Sequence, residues 1–127
     1  MKDIVSKINE SLNKFSNNKN DILNGIKNYV EEDLDSTVKH WNSRADMMND
    51  LRDYDDYFFN NLDDKIIDIL IDKDKKYINL NISSNEDKRA LVEYIVSIDK
   101  EVTKLIKTVI REFKKDMGGY FQRRRYD

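Results

Sequence analysis

The sequence predicts a mainly α-helical protein, and three observations support this fold class. The 127 residues include no proline and only three glycines, so few positions interrupt a helix. Apolar residues recur every three or four positions through most of the chain, which is the period of one helical face. With 39% apolar and 38% charged residues, such helices have both a core face and a solvent face. We expect an elongated bundle of three to five helices.

The N-terminal half divides into two or three amphipathic helices. Apolar spacing predicts a first helix over about 2–16, and a second that begins after Asn20, a good N-cap residue. The same spacing continues to about residue 60. It fits either one bent helix or two helices joined near Asp35. We favour the break, because Ser36 is able to cap a new helix.

Residues 62–83 fit two structures. As a helix, the segment has Asn61 as its cap, acidic residues in its first turn and lysines near its end, the charge order that a helix dipole favours. As strands, isoleucine and leucine residues alternate on the two sides of a charged turn, which indicates a small hairpin near 66–82. The turn lacks the glycine that tight hairpins use. Both alternatives stay open, although the residue pattern of 77–82 favours an extended segment.

The C-terminal helix has the clearest pattern. Ser84 and Asp87 resemble a capping box, and apolar residues then step by three and four. Gly118-Gly119 permits the left-handed residue that ends a helix. One helix over 85–117 would be about 50 Å long, whereas a compact chain of this size has a diameter of about 36 Å. We therefore expect either a rod-shaped protein or a helix that pairs with a second chain. The residues expected at that pairing surface are Leu91, Ile98, Leu105 and Val109.

Charge is distributed unevenly along the chain, which we divide into one helical domain, 1–119, and a basic, aromatic tail, 120–127. The net charge of −2 combines +2 over residues 1–30, −9 over 31–74 and +5 over 75–127. Such polarity suits head-to-tail self-association, or separate faces for separate partners.

Composition excludes most catalytic and metal-binding classes. The chain has no cysteine and only one histidine, His40, which removes thiolate chemistry and most histidine-based sites. No nearby serine has a nucleophile elbow, and 72–76 begins like a calcium loop but lacks its glycine. We therefore expect no enzymatic activity, no metal and no cofactor. No apolar stretch is long enough to span a bilayer, which predicts a soluble, cytoplasmic protein without a membrane partner.

An acidic face is the first candidate surface for partner binding. Asp46, Asp50 and Asp53 are four and three residues apart, and Asp56 extends the row along the helix. Tyr57 belongs to a group of aromatic residues in the same section, which is larger than one helical face can bury. Aromatic anchors rimmed by charge suit a protein-binding surface, so we expect this row to face a basic partner.

The C-terminal helix with its tail is the second candidate surface. Arg123, Arg124 and Arg125 lie between aromatic residues. Arginine forks bind carboxylates or phosphates, and aromatic rings stack on bases. The tail therefore suits a protein partner or a nucleic acid, and a simple solvated tail is the third alternative.

The function predicted from these features is non-enzymatic protein binding, by an assembly, adaptor or inhibitor subunit that contacts another protein or a second copy of itself. The bias towards Ile, Asn, Asp, Lys and Tyr is typical of AT-rich genomes, including those of phages and mobile elements. Two alternatives stay open. One is nucleic-acid binding through the C-terminal helix and arginine tail, and the other is an acidic nucleic-acid mimic that inhibits a DNA-handling protein.

Overall fold

The structure, a computed structural model, describes residues 14–117, and this part of the chain is mainly helical as predicted. Residues 14–17 are helical, and a 3₁₀ turn (Val38–His40) and a π-helical turn (Leu62–Ile66) occur later in the chain. Residues 2–13 of the first helix predicted over about 2–16, the helix end predicted at Gly118-Gly119 and the tail over 120–127 lie outside the described residues. The α-helices are α1 (Lys19–Thr37), α2 (Arg44–Arg52), α3 (Tyr54–Asn61), α4 (Ile67–Leu70), α5 (Asn85–Ser97) and α6 (Asp99–Asp116).

The core forms where α1 and α6 pack side by side. α3 also packs on α6, and α4 packs on α1. Each helix contributes one apolar stripe, for example Ile22, Ile26 and Val30 of α1, which are fully buried. Full burial of one such side chain contributes about 1.5–3 kcal/mol. Since Asp and Asn are weak helix formers, this packing supplies most of the stability of the helices.

The chain breaks after α1, as predicted, but later than expected. α1 continues through Asp35 and Ser36 to Thr37, and Ser43 caps the next helix by accepting a hydrogen bond from the Asp46 N–H at 3.2 Å. The predicted cap at Asn20 is also wrong, because the helix begins before that residue.

The hairpin predicted near 66–82 is not confirmed, since no strand occurs within residues 14–117. The helical alternative is right as far as Leu70. Asn61 does not cap this helical segment, because α3 continues through Asn61 into the π-helical turn. The π-helical turn adds one residue to its turn, and the adjacent Ile66 and Ile67 are both fully buried. The predicted extended segment 77–82 is irregular and packs back onto the helices.

The single helix predicted over 85–117 is wrong, because it divides at Ile98 into α5 and α6. The Ser97 hydroxyl donates a 2.5 Å hydrogen bond to the Tyr94 carbonyl, and such back-bonding bends helices. The bend lets α5 pack on the π-helical turn while α6 packs on α1. The longest described α-helix therefore has 19 residues, or about 28 Å, which removes the argument for a rod.

Candidate partner-binding site

The predicted acidic row extends over two helices instead of one. Asp46 and Asp50 lie on α2, which ends at Arg52. Asp53 lies at the junction, and Asp56 lies in the first turn of α3. The row is therefore interrupted by a helix boundary at its third carboxylate.

Two carboxylates of this row accept hydrogen bonds from other residues of the same chain. Asp50 Oδ2 accepts a 2.6 Å hydrogen bond from the Trp41 indole N–H, and Asp46 Oδ2 accepts a 3.3 Å bond from the Asn42 N–H. Asp56 is exposed and forms no hydrogen bond or ion pair with the described residues. Binding of a basic partner by this row stays a prediction, and Asp56 is its most available member.

Tyr57 lies beside the same junction and is 41% exposed. Its ring packs against the ring of Tyr54, with 5.7 Å between centroids. The Tyr57 ring is thus partly exposed to solvent near carboxylates, and the Tyr54 ring packs against it. This geometry fits an aromatic anchor for a partner protein.

The residues expected along the C-terminal pairing surface have different environments in the single chain. Leu91 is fully buried in the core, and Val109 is 5% exposed. Ile98 lies at the bend, and both it and Leu105 are half-buried. A straight seam along one helix is therefore absent from the described chain. Contact with a partner stays a prediction for Leu105 and Val109. The three tail arginines (Arg123, Arg124 and Arg125) lie outside the described residues.

A row of positive charge runs along α6. Its five members follow the spacing four, three, four, three, so they share one helical face. The buried residues of α6, such as Val102 and Ile106, lie on the opposite side of the helix. None of these cations is among the residues predicted from the sequence, although their spacing is a detectable signal. The row consists of Lys100, Lys104, Lys107, Arg111 and Lys114.

The C-terminal half of this row borders a groove of about 620 Å³ between α2 and α6, which we call the basic groove. Leu51 from α2 and Ile110 from α6 contribute apolar surface to it, and Asp55 is its only described carboxylate. Six cations line the walls: Arg44, Arg52, Lys107, Arg111, Lys114 and Lys115.

Most cations of the basic groove have no ionic partner in the described chain. Arg52 lies 3.9 Å from Asp53, and Lys115 lies 3.9 Å from Glu112, both in exposed positions. The other four form no ion pair with any residue of 14–117. Like charges held together raise the local potential, so the groove attracts anionic groups.

A second groove, of about 450 Å³, lies on the other flank of α6, between that helix and α1. Leu105, Val109 and Phe113 are its apolar lining residues, and Lys27 is its only described cation. We call it the acidic groove. Its carboxylates are Glu31 and Asp35 from α1 and Glu112 and Asp116 from α6.

Tyrosine hydroxyls and carboxylates join α1 to its neighbours on another side. Tyr54 donates a 2.6 Å hydrogen bond to Asp33 Oδ2, and Tyr77 donates one to Glu32. Burial and then the bond to Asp33 raise the pKa of Tyr54 far above its ordinary value. Burial and then the bond to Glu32 raise the pKa of Tyr77 to about 12. These hydroxyls therefore stay protonated donors near neutral pH, which is a structural role.

Carboxylates and the single histidine do not gather into a cation site in the described chain. His40 is exposed at the end of the 3₁₀ turn. Among residues 14–117, no group of three or more His, Asp or Glu side chains is arranged to hold a metal ion.

None of the described helices combines the length and the apolar character needed to cross a membrane.

Comparison with known proteins identifies no relative of this chain. No protein-family model matches the chain, and neither a curated protein nor a solved structure matches it.

Proposed function

We propose that this protein is a non-enzymatic binding module, of the adaptor or assembly type, whose basic groove takes an acidic segment of a partner protein. The observation that carries the proposal is the composition of that groove. Leu51 and Ile110, 3% and 7% exposed, lie between walls of six cations, four of which have no ionic partner among the described residues. Protein interfaces commonly combine an apolar centre with a charged rim. Complementary rim charges raise the association rate and select the partner.

An exposed methionine favours a protein partner. Met48 is 39% exposed and lies four residues from both Arg44 and Arg52, so it shares their face of α2. Methionine is unbranched and polarizable, and it adapts to varied apolar partners. A phosphate backbone has no apolar group for the methionine side chain to pack against. An acidic peptide segment that contains leucine or phenylalanine has such a group.

A second candidate, nucleic-acid binding, is favoured by the length of the cation row. From Lys100 to Lys114 the row extends over about 21 Å. Beyond the basic groove it borders a shallow groove of about 480 Å³ that Lys100 and Lys104 line. Rows of this kind suit the regular phosphate spacing of a nucleic-acid backbone.

Two double variants separate the candidates, because each removes two positive charges from only one surface. Arg44→Ala with Arg52→Ala changes the basic groove and leaves the α6 row intact. Lys100→Ala with Lys104→Ala shortens the row and leaves the groove intact. The probes are a labelled peptide of alternating glutamate and leucine and a labelled DNA, single-stranded and duplex, followed by fluorescence anisotropy.

If the proposal is right, the parent binds the peptide, the groove variant weakens that binding about tenfold, and the row variant changes it little. Met48→Ser should also weaken peptide binding but leave DNA binding unchanged. Strong DNA binding that depends on Lys100 and Lys104 would favour the second candidate. No binding of the peptide by the parent protein at low salt would refute the first.

A further inference from the structure

The two grooves on the flanks of α6 carry opposite charges. Glu112 and Asp116 face the acidic groove, while Lys107, Arg111 and Lys114 face the basic groove. Apolar side chains line both grooves, with half-buried Leu105 in one and Ile110, which is 7% exposed, in the other. One helix thus separates two surfaces that are similar in build and complementary in charge.

From this arrangement we propose that the acidic partner is a second copy of this chain, whose acidic groove docks on the basic groove. This inference rests on the proposed function, because it names the source of the acidic surface. Each groove also contains one side chain whose charge is opposite to that of its other charged residues, and these two side chains are complementary to each other. Asp55 in the basic groove offers a carboxylate to Lys27 in the acidic groove of the next copy.

Charge also determines the symmetry of the contact. Two basic grooves repel each other, and so do two acidic grooves, which disfavours a symmetric pair through either surface. A contact between two different surfaces is heterologous and leaves one free groove at each end. Further copies therefore add head to tail, and assembly continues beyond a dimer unless the rotation closes a ring.

The strength of the contact should depend steeply on salt. The carboxylates Glu31 and Asp35 lie on the exposed surface of α1, and exposed charges are screened beyond about 8 Å at physiological ionic strength. Attraction of this kind acts mainly on the association rate. Assembly is therefore expected at low salt and high protein concentration, and dissociation on addition of salt.

The test uses two charge-reversal variants of the full chain. The first, Lys107→Glu with Arg111→Glu, lowers the net charge of the side chains that line the basic groove from +5 to +1. The second, Glu112→Lys with Asp116→Lys, inverts the acidic groove. All four parent side chains are exposed, so the helix should be retained, and circular dichroism with thermal melting checks this for each variant. Sedimentation velocity then measures assembly at about 50 mM and about 500 mM NaCl.

The proposal expects concentration-dependent assembly of the parent beyond a dimer at low salt, and about tenfold weaker assembly at high salt. Each variant alone should assemble far more weakly than the parent. An equimolar mixture should form a heterodimer that does not grow, because the intact basic groove of the second variant binds the intact acidic groove of the first. Assembly of either variant alone that is as strong as that of the parent, no association in the mixture, or a parent that is monomeric at every concentration would overturn the proposal.

A truncated chain without Gln122–Asp127 tests the other source of positive charge. If this truncation abolished assembly while Lys107→Glu with Arg111→Glu preserved it, the arginine tail would be the occupant of the acidic groove, and the proposal would fall. The peptide assay distinguishes this failure from failure of the proposed function. A parent that binds the acidic peptide through Arg44 and Arg52 but never assembles would retain the proposed function and lose only this inference.

Discussion

The indole N–H of Trp41 donates a 2.6 Å hydrogen bond to Oδ2 of Asp50, which joins the end of the α1–α2 connection to the second turn of α2. Trp41 is 3% exposed, and its ring packs edge-on against Phe113 of α6, with 5.9 Å between centroids. Asp50 therefore holds a core side chain in position, and a test of the acidic row must treat it separately from Asp46, Asp53 and Asp56.

Replacing Asp50 by Ala is expected to lower the free energy of unfolding by about 1.5 kcal/mol, because it removes the charge-assisted hydrogen bond between the Trp41 indole and the Asp50 carboxylate. Asp56→Ala is the matched control, since Asp56 has no described partner. It should change stability by less than about 0.5 kcal/mol. Urea unfolding followed by Trp41 fluorescence measures both. Equal stability of the two variants would show that the Trp41–Asp50 bond contributes nothing.

Gly25→Ala is expected to destabilise the protein strongly. A Cβ atom at position 25 would lie 2.3 Å from the Tyr77 carbonyl oxygen and 2.7 Å from a side-chain carbon of Ile78. Because one of these contacts is backbone, α1 and the segment after α4 must separate, at a cost of about 3 kcal/mol. Asn24→Ala, on the exposed side of the same turn, should instead be neutral or slightly stabilising. Thermal melting of the two variants checks the contrast, and a stable Gly25→Ala protein would refute the close approach.

The tyrosines predict a loss of stability at alkaline pH. Burial, then the hydrogen bond that its hydroxyl donates to Asp33, raises the pKa of Tyr54 above that of an unfolded tyrosine, so the folded state retains a proton that the unfolded state releases. Stability should therefore be complete below about pH 10 and fall as the pH rises further. Tyr54→Phe should reduce this slope and lower stability at neutral pH by about 1.5 kcal/mol.

The control for Tyr54 is Tyr57→Phe, since Tyr57 is exposed and donates no described hydrogen bond. Unfolding free energies measured from neutral to alkaline pH compare the two variants. An unchanged alkaline slope in Tyr54→Phe would contradict the assignment of that slope to this hydroxyl.

Ser84→Ala is expected to weaken the start of α5. The Ser84 hydroxyl accepts a 3.1 Å hydrogen bond from the Asp87 N–H, and loss of such a cap costs about 1 kcal/mol. Ser83→Ala is the matched control, because the neighbouring hydroxyl is exposed and has no described hydrogen bond. Hydrogen exchange at the first turn of α5 should increase only in Ser84→Ala. The same increase in both variants would indicate general fraying.

Features that depend on local interactions are predictable from the order of residues in this chain. The helical class follows from apolar spacing within single turns, and the Ser84 cap follows from residues three positions apart. The position of the break after α1 was harder to place, because Ser36 and Ser43 are both acceptable caps. The structure uses Ser43, whose hydroxyl accepts the Asp46 N–H bond, while α1 continues through Ser36 to Thr37.

The candidate site was determined only by the tertiary structure. The basic groove joins Arg44 and Arg52 of α2 to Lys107 and Arg111 of α6, residues more than fifty positions apart, and no local pattern indicates that these helices face each other. The division at Ile98 has the same origin. The apolar pattern predicts one long helix, but each half packs against a different neighbour, and the chain bends so that both halves bury their apolar faces.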